Sequence, residues 1–279
     1  MTDRFRAALA HGPLILDAAM GTRLIARGLD LSCDDPALWV LAHPELVSDL
    51  HARDVAAGSD AVLTNTFGAN RVWLARFGQA DQVAAINRRA VALARAAAGP
   101  DRFVIGTIGP TAARQPDACR EQAELLADAG ADALLFETHR ADEAEIALRA
   151  VVGRVPLALL VSLVTWPDAI AETAQRLADL GAAVLGGNCQ DGIEPALRLA
   201  ERLRPCTDLP LLIKPSAGRP DEGPETPESF AGAVPRLLTL NVRLLGGCCG
   251  TTEAHVAALR GACYPGTIDP SSVAKGTAS

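Results

Sequence analysis

The stretch GADALLFETHRADEAEIALRAVVGRVPLALLVSL, residues 130–163, contains a complete strand–helix–strand unit. Two short apolar runs, Ala133–Glu137 and Pro156–Val161, show little alternation of polar and apolar residues, which is typical of strands buried on both faces. Between them, Glu143–Val152 carries apolar residues at helical spacing. Parallel strands need a crossover of this kind, so the stretch predicts a β-α-β unit.

The same alternation of short apolar runs and amphipathic segments extends over most of the chain. A helix-to-strand turn, Ala-Gly-Ala-Asp at 129–132, returns in similar form as Leu-Gly-Ala-Ala at 180–183. The G-x-G-x-x-G loop of a doubly wound sheet does not follow the first strand. We therefore predict an α/β protein with a single-domain (β/α)8 TIM barrel over residues 1–264 and a flexible polar tail over 265–279. The eight predicted strands are Pro13–Asp17, Ala61–Thr66, Arg102–Ile108, Ala133–Glu137, Pro156–Val161, Ala182–Gly187, Pro210–Lys214 and Val242–Gly246.

Composition excludes several classes of protein. The chain has 279 residues, 49% of them hydrophobic, so it can build a sizeable core. Its net charge of −7 argues against a nucleic-acid partner, because phosphate contacts need a basic surface. No apolar run approaches the roughly 20 residues of a membrane span, and the N-terminus does not resemble a signal peptide. We therefore expect a cytoplasmic protein without a membrane partner. Because the sequence shows no long C-terminal arm for exchange between subunits, we also expect a monomer.

Three of the seven cysteines follow predicted strands at the end of a barrel where reactive groups gather. Cys189 follows the sixth strand, and Cys248 and Cys249 follow the eighth. Three thiolates with one open position describe a catalytic zinc site, since structural zinc normally has four protein ligands. Buried, unreactive thiols are the alternative, because free cysteine is often buried. Spacing alone leaves both interpretations open.

Five motifs, taken in order, resemble those of the homocysteine S-methyltransferase family. The resemblance implies a zinc ion held by Cys189, Cys248 and Cys249, with the homocysteine thiolate at the fourth position and no further catalytic residue. It also implies that an activated donor supplies the methyl group and that methionine is the product. The motifs are DAAMGT (17–22), TNTFGAN (64–70), FET (136–138), GGNC (186–189) and GGCCGTT (246–252).

The same resemblance assigns the substrate-binding residues. It places Asp17 and Glu137 at the substrate ammonium. Backbone amides around Ala18–Gly21 form a candidate nest for the substrate carboxylate. Asn65 and Asn188 either contact the substrate or fix the loops. Candidate donors are S-methylmethionine, S-adenosylmethionine, a betaine, or a methylcorrinoid carried by another protein, since the chain has no cobalamin-type Asp-x-His-x-x-Gly stretch.

The chain departs from the family pattern at four places. Ala18 stands where glycine is usual, and the segment between Thr111 and Cys119 is short. The stretch VSLVTWPDAI (161–170) lacks a polar, glycine-rich loop, and KPSAG (214–218) has Lys214 and no asparagine. These departures affect the loops that would face the methyl donor, so the sequence does not select among the donors.

Two other functions remain open. Lys214 at the end of a barrel strand is compatible with a Schiff-base lyase or aldolase, although it is equally compatible with a solvated side chain. The chain is also compatible with a zinc-binding docking subunit for a methylcorrinoid or folate protein. Glu137 has an alternative role in a surface ion pair with Arg140, and the sequence assigns no definite role to His139 or Cys33.

Overall fold

Eight parallel strands form the centre of the molecule in the computed structural model, which describes residues 2–110, 115–218 and 223–265. The hydrogen-bonded order is β1-β8-β7-β6-β5-β4-β3-β2, so strands β2 to β8 lie beside their neighbours in the chain and β8 also pairs with β1. This is a nearly closed (β/α)8 barrel, and the predicted fold class is confirmed. The strands are β1 (Leu14–Ile15), β2 (Ala61–Leu63), β3 (Phe103–Ile108), β4 (Ala133–His139), β5 (Ala158–Leu163), β6 (Ala182–Asn188), β7 (Leu211–Lys214) and β8 (Val242–Leu245).

Helices surround the strands and cover their outer faces. All eight predicted strands are present, with ends displaced by three residues at most, and the helices between them follow the predicted amphipathic stretches. The helices are α1 (Thr2–His11), α2 (Met20–Ile25), α3 (Trp39–Ala42), α4 (Pro44–Ala56), α5 (Arg71–Leu74), α6 (Val83–Ala98), α7 (Pro116–Asp128), α8 (Ala141–Val151), α9 (Ile170–Asp179), α10 (Ile193–Leu203), α11 (Pro227–Thr239) and α12 (Glu253–Cys263).

Side-chain carboxylates help to close the barrel between β1 and β2. The Asp60 amide donates to the Ile15 carbonyl at 2.7 Å, and the Ile15 amide donates to the Asp60 carboxylate at 2.9 Å. Further along, the Leu63 amide donates to Asp17 Oδ2 at 2.8 Å. Asp17 therefore satisfies a strand amide that has no neighbouring carbonyl, which is one reason why β1 is shorter than predicted.

Aliphatic side chains fill the barrel interior, and helix α1 packs across its amino-terminal end. Phe5 of α1 is fully buried and meets Phe103 of β3 edge to face, with ring centroids 5.2 Å apart. Because this end is packed with apolar groups, polar chemistry is confined to the opposite end, where the strands finish. The interior residues of the strands are Leu14, Ala61, Leu63, Phe103, Ile105, Ala133, Leu135, Ala158, Leu160, Val184, Leu212 and Leu244.

The repeated helix-to-strand turn has the backbone that its glycines permit. Gly130 and Gly181 have φ of 98° and 95°, values that a side chain would disfavour. The short loop beginning at Thr111 and the tail predicted over 265–279 lie largely outside the described residues, at 111–114 and 266–279. Across the described ranges, no helix is both long and apolar enough to cross a membrane.

Buried His51 in α4 should make the protein less stable in acid. The side chain is fully buried, and neither ring nitrogen has a hydrogen-bond partner among the described residues. Burial, with a smaller contribution from nearby Arg23, lowers the pKa of His51 from 6.5 to about 3. Below pH 6.5 the His51 imidazole is therefore protonated in the unfolded chain but stays neutral in the folded chain. This difference lowers the free energy of unfolding by about 2 kcal/mol at pH 5.

Chemical denaturation of His51→Leu at pH 7 and pH 5 tests this expectation. The variant should lose distinctly less stability between the two pH values than the parent protein. A matched change at exposed His43, His43→Leu, should leave the difference as it is in the parent. An equally large loss in His51→Leu would contradict the assignment.

Candidate active site

A cavity of about 320 Å³ opens at the carboxyl end of the barrel, at the lower end of the range for small-molecule sites of about 300–1,000 Å³. Its wall combines thiols, two carboxylates, one amine and several apolar groups. The lining residues that carry the argument below are Asp17, Asn65, Phe67, Glu137, Cys189, Lys214, Cys248 and Cys249.

Three cysteine thiols meet in this cavity. Cys189 Sγ lies 3.0 Å from Cys248 Sγ, and these two sulfur atoms and that of Cys249 all lie within 4.8 Å of one another. In the described part of the chain, this is the one group of three or more potential metal ligands found at such spacing. The predicted meeting of the cysteines from the sixth and eighth strands is therefore present, in a geometry that could hold a metal ion.

The segment after β7 joins the two cysteine segments, because β7 lies between β6 and β8. The Cys189 amide donates to the Lys214 carbonyl at 3.1 Å, and the Cys248 amide donates to the Pro215 carbonyl at 2.7 Å. The Ala217 amide in turn donates to the Cys249 carbonyl at 2.8 Å. Residues 214–217 thus hold both cysteine segments in place through hydrogen bonds of the backbone alone.

The glycines around Cys248 and Cys249 have different roles. A Cβ on Gly246 would lie 2.7 Å from Leu16 Cβ, and one on Gly247 would lie 2.2 Å from Thr251 Oγ1, so both are required for close packing. Of the three glycines in this motif, Gly250 alone has a positive φ, at 80°. Gly246 and Gly247 are therefore needed for close packing, and Gly250 is needed for its backbone conformation.

Asn188 lies behind the thiols and holds them in place. Its Oδ1 accepts from the Thr138 amide at 3.0 Å and from Ser162 Oγ at 2.6 Å. Its Nδ2 donates to Thr138 Oγ1 at 2.8 Å and to Cys189 Sγ at 3.2 Å. Both polar atoms of the Asn188 amide have partners, and the residue does not line the cavity. Of the two roles that the sequence left open, substrate contact and loop fixation, these observations favour loop fixation.

Backbone strain is concentrated at the same place. Thr138 and Cys189 have φ of 63° and 60°, and they are two of the three described non-glycine residues with positive φ. The contacts of Asn188 hold both residues in these conformations. Strain that the surroundings stabilise in this way is typical of functional sites.

The three thiols share protons unequally. Hydrogen bonds from Cys189 and Cys248 hold the pKa of Cys249 down at about 3. Hydrogen bonding to the other two thiols, together with burial, raises the pKa of Cys189. The cluster therefore favours one thiolate even without an ion, and a cation bound there would favour ionisation of the others.

Lys214 is buried in the cavity wall and pairs with Glu137. Its side chain is 6% exposed, and Nζ lies 2.6 Å from Glu137 Oε1. The interpretation of Lys214 as a solvated side chain is therefore wrong. The alternative of a surface ion pair between Glu137 and Arg140 is wrong as well. Burial alone would lower the pKa of Lys214, but attraction to Glu137, Cys248 and Asp17 raises it above its usual value. A protonated amine is not a nucleophile, so this ion pair disfavours Schiff-base chemistry.

The two carboxylates at the site differ in their partners. Asp17 is 2% exposed, and burial together with nearby Asp54 raises its pKa to about 7. Burial also raises the pKa of Glu137, although the Lys214 ammonium opposes this effect. Both groups line the cavity, but each already has a partner within the protein, the Leu63 amide for Asp17 and the Lys214 ammonium for Glu137.

The remaining candidates fall into separate places. Asn65 lines the cavity, and its Nδ2 donates to the Pro36 carbonyl at 2.6 Å, so it both fixes a loop and faces the cavity. Ala18 lines the cavity without a positive φ, so the glycine usual there is not required. His139 is fully buried and Cys33 is exposed on a loop, and neither residue lines the cavity.

Sequence reasoning missed the residues that support the site. Thr138 and Ser162 were not singled out, yet they complete the hydrogen bonds of Asn188. The pairing of Glu137 with Lys214 was missed as well. Glu137 lies two residues before the end of β4 and Lys214 ends β7, and this shared position near the carboxyl ends of strands is the signal that could have brought them together.

The comparisons with known proteins agree with this geometry. The sequence profile of the homocysteine S-methyltransferase family matches residues 14–263. The chain belongs to this family. Members of the family that resemble it include the homocysteine S-methyltransferase of Escherichia coli, 28% identical over 88% of this chain and 94% of that protein.

A solved structure and a further relative support the same relationship. The metallated form of the homocysteine methyltransferase MmuM from Escherichia coli superposes with a TM-score of 0.75 and 28% identity, covering 89% of this chain and 96% of that one. Methionine synthase of Mycobacterium tuberculosis is 30% identical over 89% of this chain. The chain spans only about a quarter of that synthase, 24% of its length.

Proposed function

We propose that the protein is a zinc-dependent S-methyltransferase that moves a methyl group from an activated donor to homocysteine, forming methionine. The observation that carries the proposal is the group of three thiols in the wall of the barrel cavity, in a chain of the homocysteine S-methyltransferase family. We expect the reaction to take place in the cytoplasm and the chain to act as a monomer.

We assign the metal to Cys189, Cys248 and Cys249. Thiolates bound at about 2.3 Å to one tetrahedral zinc lie about 3.8 Å from each other. The sulfur atoms, 3.0 Å apart for Cys189 and Cys248 and within 4.8 Å for all three, are compatible with that spacing after small adjustments. When bound, zinc lowers the pKa of a thiol that joins it, so that the thiol reacts as thiolate near neutral pH.

The side chains of the protein orient the thiol and its neighbours. Asn188 directs an N–H at Cys189 Sγ, which stabilises the thiolate form of that ligand. The family resemblance places the substrate ammonium at Asp17 and Glu137, and Ala18 and Asn65 lie on the same wall of the cavity. Half-exposed Phe67 lies on the same cavity and gives the approaching donor an apolar surface.

A donor screen tests the proposal. The zinc-loaded protein is incubated with homocysteine and, separately, S-methylmethionine, S-adenosylmethionine, glycine betaine or a methylcorrinoid protein, and methionine is measured. We expect one small donor to give methionine and the metal-depleted protein to give none. Activity with the methylcorrinoid protein alone would favour the docking subunit, and no methionine from any donor would contradict the proposal.

A further inference from the structure

The cavity contains an ammonium group of its own. Lys214 ends β7, lines the cavity and is almost completely buried, with Nζ 2.6 Å from Glu137 Oε1. A buried lysine of this kind is held in place by its counter-ion, because an unpaired charge in the protein interior is strongly disfavoured. The positive charge is therefore a permanent part of the cavity wall.

The Lys214 ammonium binds the Glu137 carboxylate, which a substrate ammonium would need as its partner. Glu137 already binds one cation, and Asp17 Oδ2 already accepts the Leu63 amide. A second ammonium beside Glu137 would also lie beside Lys214, and like charges at such distances repel. An amino acid substrate thus receives less attraction at its ammonium than two free carboxylates would give.

We propose that Lys214 takes the place of a substrate ammonium, so that the thiol site accepts short mercapto carboxylic acids that lack an amino group. The inference rests on the proposed function, since it concerns the acceptor of the same site. The lysine supplies the positive charge that homocysteine carries itself, so Glu137 is neutralised before any substrate enters. A thiol with a carboxylate and no ammonium then binds without placing two cations on one carboxylate.

The matched probes are homocysteine and 4-mercaptobutanoate, which is homocysteine without its amino group. Calorimetry on the zinc-loaded protein measures how tightly each thiol binds and needs no methyl donor. We expect 4-mercaptobutanoate to bind at least as tightly as homocysteine. Homocysteine binding tighter by about tenfold or more would overturn the inference, even without any variant.

Variants at Lys214 test whether this residue sets the preference. Lys214→Met leaves Glu137 free for a substrate ammonium and should shift the ratio of the two dissociation constants toward homocysteine by about tenfold or more. Lys214→Arg keeps the charge and should keep the preference of the parent. Zinc content and thermal unfolding show whether each variant is folded. An unchanged ratio in folded Lys214→Met would reduce the lysine to a structural role and overturn the inference.

The experiment separates failure of the inference from failure of the proposed function. Binding of homocysteine alone would refute the role of Lys214 and leave thiol methylation standing. If neither thiol binds the zinc-loaded protein, the proposed function is itself refuted.

Discussion

Replacing Cys249 by alanine is expected to remove both the metal and the methyl transfer. Cys249 Sγ belongs to the three-sulfur group, and two remaining thiolates are too few for a tight zinc site in a protein. Cys249 is an exposed residue at the cavity, so its truncation should leave the packed barrel folded. We expect bound zinc, by elemental mass spectrometry, to fall from about one ion per chain to nearly none.

Cys33→Ala is the matched control for this experiment. Cys33 is also exposed, but it does not line the cavity. This variant should retain the zinc and the activity of the parent. Equal zinc in Cys249→Ala and the parent protein would show that the three thiols are not the metal site.

Truncating Asn188 is expected to weaken metal binding without touching a metal ligand. Asn188→Ala removes the N–H directed at Cys189 Sγ and the acceptor that fixes the strained Thr138. Residues that orient metal ligands typically contribute about 10- to 100-fold to metal affinity. Competition of the purified variant with a zinc chelator should show a loss of this size.

A second buried asparagine distinguishes this effect from general destabilisation. Asn87 is fully buried, does not line the cavity, and donates from Nδ2 to the Ala69 and Val83 carbonyls at 2.7 and 2.8 Å. Asn87→Ala should destabilise the barrel by a comparable amount and retain the zinc affinity of the parent. If both variants lose zinc equally, Asn188 has no specific role at the site.

The fold could be predicted because its signals are local. Apolar runs of strand length alternate with amphipathic runs, and glycines such as Gly130 and Gly181 mark the turns between them. The predicted ends of helices and strands were less accurate where a helix cap or the closure of the barrel decides the end. Strand β1 ends at Ile15, two residues before its predicted end, and the Asp17 side chain there accepts the Leu63 amide of β2.

The site could be predicted only as far as its positions on the strands. The rule that reactive groups follow barrel strands was enough to bring Cys189 together with Cys248 and Cys249. The ion pair of Lys214 with Glu137 was not accessible in this way, because β4 and β7 are not neighbours in the sheet and the two residues are 77 positions apart. Sequence gives no direct measure of which side chains meet across a barrel.

X-ray absorption at the zinc edge, before and after homocysteine is added, tests the central claim most directly. The account predicts three sulfur neighbours per zinc at about 2.3 Å in the free protein and four in the presence of homocysteine. A sulfur count that stays at three after homocysteine is added, or a zinc without three sulfur neighbours, would contradict the account.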